Sequence, residues 1–124
     1  MNTAFIFLLM IFCHILDDFC LQAYWLSSGK QKFWWEEHAP NKLYKYDYIW
    51  ALLMHSFSWA FMIMLPIALV YEFNVSKFFV YIFILNIIVH AITDNEKANK
   101  FTINLWVDQL IHLSQITLTA LFLL

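Results

Sequence analysis

The fold is decided by residues 5–22, FIFLLMIFCHILDDFCLQ, an apolar run that carries a histidine and two aspartates in its second half. His14, Asp18 and Gln22 follow one another at four-residue intervals, so they form a single stripe on a helix. Apart from Asp17, the other faces of this helix are apolar. A helix that is apolar around most of its circumference belongs in a protein core or in a membrane.

The composition of the whole chain favours the membrane. Its 124 residues are enough for one domain, 63% of them are hydrophobic, and only 13% are charged, against roughly 25% charge in soluble domains. The formal net charge is -2. A chain without a basic surface is not expected to bind nucleic acid, which excludes that class of partner.

Four apolar stretches predict an all-α, four-helix transmembrane bundle that forms a single integral membrane domain over residues 1–124. Each stretch approaches or exceeds the ~20 residues that a helix needs to cross the hydrocarbon layer. The predicted spans are 3–26, 47–71, 76–93 and 101–124. The connection between the first two mixes lysines with tryptophans and tyrosines, which suits the headgroup layer and predicts an interfacial aromatic loop.

The lysines predict the orientation. Most of them fall in two of the connections, residues 27–46 and residues 94–100, whereas Lys77 lies on the other side. Because positive residues accumulate on the inner side of a membrane, we expect these two loops in the cytoplasm and both termini outside. We expect the membrane to be a bacterial inner membrane.

Polar residues of the same kinds recur in the other predicted spans. The third span aligns four of them on one stripe: Asn86, His90, Asp94 and Lys97. The fourth span places Gln109 beside a stripe made of Asn104, Asp108, His112 and Gln115. The second contributes His55, near Ser56 and Ser58. Given the alternating direction of the spans, all four sets are expected at one depth, in the cytoplasmic half of the bilayer.

These residue types at one depth predict a metal centre. An ionised aspartate at mid-bilayer costs roughly 2.5–3.5 kcal/mol, so such groups must face one another, water or a metal ion. Imidazole and carboxylate are zinc ligands, and we predict a divalent ion, zinc most simply. The predicted ligands are His14, Asp18, His55, His90, Asp94, Asp108 and His112. The predicted catalytic groups are Asp18, Asp94, Lys97 and Asp108, with Gln22 and Gln109 in support.

A structural interpretation stays open for part of this set. Intramembrane amides and hydroxyls also fasten helices together by hydrogen bonds worth roughly 0.6–2 kcal/mol each. We expect that role for Asn86, Asn104, Gln115 and the two serines. Asp17 fits either role, and His38, beside two glutamates, is expected to be a solvated surface residue.

The same residues carry a resemblance. The chain resembles an uncharacterised family of small bacterial and phage membrane proteins, domain of unknown function 3307. Four sequence blocks carry the resemblance, in this order: HILDDFCLQ (14–22), His55, HAITDNEK (90–97) and DQLIH (108–112). The resemblance covers almost the whole chain. It implies the fold and the site residues, with Asp18 rather than Asp17 as the working carboxylate, and it implies no reaction.

Three functions are compatible with this pattern. The first is a membrane-embedded, metal-dependent hydrolase that acts on a lipid or another amphiphile near the cytoplasmic face. The second is a non-enzymatic membrane protein that binds a membrane-protein partner or a second copy of itself, with the cluster purely structural. The third is a proton or ion pathway, which the lack of ionisable residues in the outer half disfavours.

Overall fold

The computed structural model describes residues 2–124, and within them it is all-α, with helices joined by turns and no strand. Six α-helices follow one another along this part of the chain: α1 Thr3–Ile15, α2 Tyr24–Gly29, α3 Lys32–His38, α4 Asp47–Val70, α5 Lys77–Asn95 and α6 Leu105–Leu123. Two π-helical segments continue α1 and α5 without a break, Leu16–Leu21 and Glu96–Lys100. A short 3₁₀ turn, Lys42–Tyr44, precedes α4.

Three helical stretches in residues 2–124 are long and apolar enough to cross a membrane: Thr3–Leu21, Lys42–Val70 and Lys77–Lys100. Helix α6 is outside this set, although it has 19 residues. Its first half is interrupted by polar side chains, among them Asp108, His112 and Gln115. A fourth span over 101–124 therefore stays a prediction.

Helix α4 is the centre of the molecule, because it packs against each of the other five α-helices. Helix α6 also packs against α1 and α5. The apolar core surrounds its second half, where Ile63 and Ile67 are fully buried together with Met10 of α1 and Ile116 of α6. The buried charged side chains surround its first half. The interior of the molecule is therefore polar around the first half of α4 and apolar around its second half.

The outer surface of the helices is apolar. Phe5, Leu8 and Phe12 project from α1, and Ile84 and Leu85 from α5, each with roughly half of its surface exposed. Soluble monomers rarely expose a continuous apolar surface of this kind. The arrangement is compatible with a membrane protein, because the polar side chains are inside and the apolar ones are outside.

The helix ends differ from the predicted ones near residue 22. The first predicted span reaches residue 26, whereas the π-helical segment ends at Leu21 and the backbone of Gln22 and Ala23 is extended. At the other end of the molecule, the predicted loop 94–100 is helical, because α5 continues to Asn95 and then into its π-helical segment. The predicted loop 27–46 contains α3, part of α2 and the 3₁₀ turn.

Candidate metal centre

The structure brings all seven predicted metal ligands into one buried cluster. They come from α1 with its π-helical segment, from α4, from α5 and from α6. Asp94 lies within 4 Å of three of the histidines, His55, His90 and His112. Three overlapping groups have ligand atoms within 4.8 Å of one another: His14–Asp18–His112, Asp18–His55–His90 and His90–Asp94–His112. These buried groups can hold a metal ion.

His90 and His112 form the centre of the cluster. Neither ring is exposed, and the two rings stack with their centroids 4.2 Å apart. Both Nε2 atoms face Asp94 Oδ1, at 3.7 Å from His90 and 3.8 Å from His112. Asp108 Oδ1 lies 3.8 Å from the same His112 nitrogen. Two ligands of one tetrahedral zinc ion lie about 3.3 Å apart, so a small contraction would bring these atoms to ligand distance.

The polar atoms at this centre have no hydrogen-bond partner in the described part of the chain. The buried atoms without a partner include both nitrogens of His90, both nitrogens of His112, His55 Nε2 and Asp108 Oδ1. An unsatisfied buried polar atom costs roughly 1–3 kcal/mol. The donor set therefore fits a divalent metal ion, since ligation would satisfy several of these atoms at once.

Two lysines fix the orientation of two of the carboxylates. Lys30 Nζ donates to Asp94 Oδ2, and Lys97 Nζ donates to Asp108 Oδ2, each at 2.6 Å. Each lysine thus holds one carboxylate oxygen and leaves the other oxygen facing His112. Lys97 was among the predicted site residues, but Lys30 was expected only as a cytoplasmic loop lysine, and the structure buries it.

Asp18 links the remaining imidazoles. Its Oδ1 lies 3.2 Å from His55 Nε2, and its Oδ2 lies 3.4 Å from His112 Nδ1. If the Nε2 atom of His112 binds an ion, the carboxylate is on the opposite side of the ring, where metal-bound histidines usually have an orienting partner. Asp18 lacks a lysine partner among the described residues, which distinguishes it from Asp94 and Asp108.

Both ring nitrogens of His14 are already hydrogen-bonded. Trp59 Nε1 donates to His14 Nδ1 at 2.8 Å, so the ring proton is on Nε2, which donates to Gln109 Oε1 at 3.0 Å. The Gln109 amide nitrogen then donates to Asp18 Oδ2 and to Asp108 Oδ2. His14 thus acts on the cluster through Gln109, and the predicted supporting role of Gln109 has a geometric basis.

Asp17 is buried beside the cluster. Its Oδ1 accepts a hydrogen bond from Ser58 Oγ, and its Oδ2 lies 3.7 Å from His55 Nδ1. Asp17 and Asp18 therefore flank His55 on two sides. Gln22, by contrast, follows the end of the π-helical segment and makes no side-chain hydrogen bond within residues 2–124, so the structure does not bring it into the cluster.

Three of the predicted helix-fastening residues do connect helices, and one of them is Ser58, whose bond to Asp17 joins α4 to the segment Leu16–Leu21. Asn86 of α5 donates to Thr119 of α6, and Gln115 of α6 donates back to the Asn86 side chain. The expectation for Asn104 is wrong, because its side chain is exposed and caps the start of α6 by accepting from the backbone of Val107. Ser56 bonds within its own helix. His38 is exposed and stacks on Trp34, as a surface residue would.

The charges of the cluster do not balance. It contains four carboxylates with little or no exposure, and two lysines are paired with them. The carboxylates are Asp17, Asp18, Asp94 and Asp108. With all four carboxylates ionised and the histidines neutral, two negative charges would remain, and isolated charges in a low-dielectric interior are unfavourable. One divalent cation would neutralise the cluster without protonating any histidine.

No family model, curated protein or solved structure matches this chain. The fold and the site therefore define a class by themselves: an all-helical protein with three helices that can cross a membrane and a buried histidine–aspartate cluster that can hold a metal ion.

Proposed function

We propose that this chain is an integral membrane metallohydrolase that acts on a lipid or another amphiphile near the cytoplasmic face of a bacterial inner membrane. The observation that carries the proposal is the set of unpartnered nitrogens of His90 and His112 opposite the free oxygens of Asp94 and Asp108. The two uncompensated negative charges support a divalent ion, and zinc is the simplest candidate for this mixture of ligands.

The ion would be held by His90, His112 and Asp94, whose ligand atoms lie within 4.8 Å of one another, and its fourth position would be left to a water. A divalent ion in this position polarises a carbonyl or phosphoryl oxygen and activates a water. His55 lies beside this set, between Asp18 Oδ1 at 3.2 Å and Asp17 Oδ2 at 3.7 Å. With carboxylates at both ring nitrogens, His55 is placed to accept and return a proton as the general base.

Lys97 is the group of the cluster that faces outward. One third of its side chain is exposed, whereas Asp108, its partner, has no exposure. We propose that its ammonium group leaves Asp108 in part to stabilise the negative charge that develops on the substrate. The substrate would then approach from the side of the Glu96–Lys100 segment.

The topology in this proposal is a four-helix bundle in which α6 is the fourth span and α2 and α3 lie in the headgroup layer. The buried polar face of α6 supports its placement, because His112 and Gln115 are inside and Leu110, Leu113 and Leu118 are outside. The distribution of the lysines supports cytoplasmic connections at 27–46 and 94–100. Membership of domain of unknown function 3307 is part of the same proposal.

Metal analysis of the chain purified in detergent tests the ion. We expect about one zinc ion per chain in the wild type and its loss in His90→Ala and in His112→Ala. His38→Ala is the matched control, because it removes an exposed histidine and should leave the metal content unchanged. A folded wild type that takes up neither zinc nor another divalent metal would refute the proposal.

A second candidate function is supported by the enclosure of the site. His90, His112 and Asp108 have no exposed surface at all, so a substrate can reach them only if the helices move. In this alternative the ion only fixes the packing of the helices, and the protein acts by binding a membrane-protein partner or a second copy of itself. Release of fatty acid or headgroup from phospholipid vesicles, dependent on the metal, separates the hydrolase from this alternative.

A further inference from the structure

A pocket of about 190 Å³ lies outside the metal centre, between α3, the following turn and the 3₁₀ turn. Three lysines and one glutamate line it, so its charge is positive by two: Lys32, Lys42 and Lys45 with Glu36. Side chains three residues apart eclipse one another in a 3₁₀ helix. Lys42 and Lys45 are therefore on the same face of the turn.

Two of these lysines are available for a ligand. Lys32 lies 3.7 Å from Glu36, in a pair whose side chains are half exposed or more. Lys42 and Lys45 have no carboxylate within ion-pair distance in the part of the chain that the structure describes. The Lys45 ammonium group lies over the ring of Tyr46, 5.2 Å from its centroid. Two lysines without an acidic partner beside one pocket form a site for an anion with several oxygens, such as a phosphate group.

The remaining wall of the pocket is aromatic and rigid. Trp35 stacks on Tyr44 with the ring centroids 6.4 Å apart, and its indole nitrogen donates to the carbonyl of Gly29 at 2.8 Å. Leu43 and Tyr46, on the same turn, are 76% and 61% exposed. Lysines together with exposed aromatic and apolar side chains are typical of segments at the boundary between water and lipid.

The pocket is at the same end of the molecule as the metal centre. Gly29, which Trp35 holds, precedes Lys30, which is paired with Asp94. Asn99 connects the same segment to the end of α5: its amide nitrogen donates to the Lys30 carbonyl, and its oxygen accepts from the Lys32 backbone nitrogen. An occupant of the pocket therefore lies against the segment that closes the cluster.

We infer that this pocket binds the phosphate headgroup of an anionic glycerophospholipid. The inference rests on the membrane location in the proposed function, and it specifies the class of amphiphile that the protein receives. Lysines near an anionic lipid surface strengthen the binding to it, and this pocket has two lysines without an acidic partner beside an aromatic wall.

Calorimetric titration of the detergent-solubilised protein with short-chain phosphatidylglycerol tests the inference, with short-chain phosphatidylcholine and inorganic phosphate as comparison ligands. We expect phosphatidylglycerol to bind at least tenfold more tightly than either comparison ligand. The double variant Lys42→Gln/Lys45→Gln should weaken this binding at least tenfold. Lys77→Gln is the matched control, since it removes an exposed lysine outside the pocket, and it should bind as the wild type does.

Glu36→Gln provides a test that loss of folding cannot imitate, because it raises the positive charge of the pocket and should tighten phosphatidylglycerol binding several-fold. His90→Ala should bind the lipid unchanged, so a failure of the metal proposal would leave this result intact. Equal binding by the wild type and the double lysine variant overturns the inference. Equal or tighter binding of inorganic phosphate or of phosphatidylcholine overturns it too, since the site would then not select an anionic lipid.

Discussion

Lys30 and Asp94 form a buried ion pair, Nζ to Oδ2 at 2.6 Å, although they are separated by 64 residues. The side chains are only 8% and 3% exposed. The pair attaches the end of α2 to the end of α5 and holds one oxygen of a metal-ligand candidate. The connection between the first two long helices therefore contributes a side chain, Lys30, to the site.

Substitution of Lys30 by methionine should be strongly destabilising. Methionine retains most of the side-chain volume but leaves the Asp94 carboxylate buried without its partner, which costs about 3–5 kcal/mol. Lys32→Met, at an exposed lysine two residues away, should cost less than about 1 kcal/mol. Equilibrium unfolding in mixed detergent micelles measures both, and equal effects of the two substitutions would contradict the role of the buried pair.

Removal of the metal should lower the thermal stability of the protein. A ligand that binds only the folded state at a concentration 100 times its dissociation constant stabilises that state by about 2.7 kcal/mol. We therefore expect a chelator to decrease the Tm of the wild type and added zinc to restore it. The His112→Ala variant should show a Tm that responds to neither treatment. A wild-type Tm that is indifferent to both would argue against an ion in the cluster.

Loss of His14 should weaken metal binding, whereas loss of a metal ligand should abolish it. Because His14 acts through Gln109, His14→Ala should retain about one ion per chain but bind it roughly 10–100-fold more weakly, as is usual when an orienting partner of a ligand is lost. Trp59→Phe, which deletes the indole donor to His14, should shift the affinity in the same direction. The absorption spectrum of the cobalt-substituted protein reports the geometry of the site, and complete loss of cobalt in His14→Ala would make His14 a ligand.

Lys97 should matter for turnover and little for metal binding. Loss of a group that stabilises developing negative charge commonly lowers kcat by about 10²–10³-fold, and we expect this of Lys97→Gln in the vesicle hydrolysis assay. Its metal content should be that of the wild type. Lys100→Gln serves as the control, because Lys100 is exposed and paired with Glu96 on its own helix turn. Equal kcat values in the two variants would remove Lys97 from the proposed mechanism.

The histidines and aspartates of the cluster were predictable because they repeat at helical spacing within apolar segments. His90 and Asp94, or Asp108 and His112, are one turn apart, and no lipid-facing position tolerates such pairs. Their convergence followed from the alternating direction of the helices. The extended backbone at Gln22, which takes that residue away from the stripe, has no comparable signal in the sequence.

Lys30 and Trp59 could not be assigned from the sequence for a different reason. Lys30 lies in a segment rich in lysines, where nothing local distinguishes the one that is buried from those that remain exposed. Trp59 stands among other large apolar residues of α4, and its indole nitrogen gains a meaning only once His14 is next to it. Both side chains contact residues that are distant in the sequence. The spacing of residues along one helix predicts which of them share a face, but it does not predict contacts between different helices.

The π-helical segment Leu16–Leu21 contains both aspartates of the first helix. A π turn accommodates one residue more than an α turn, and such turns inside helices are frequent at functional sites. Two adjacent acids of one wide turn thus approach the two nitrogens of a single imidazole, Asp17 at Nδ1 and Asp18 at Nε2 of His55. A one-residue deletion that restored regular α-helical winding would turn one of these acids away from the ring.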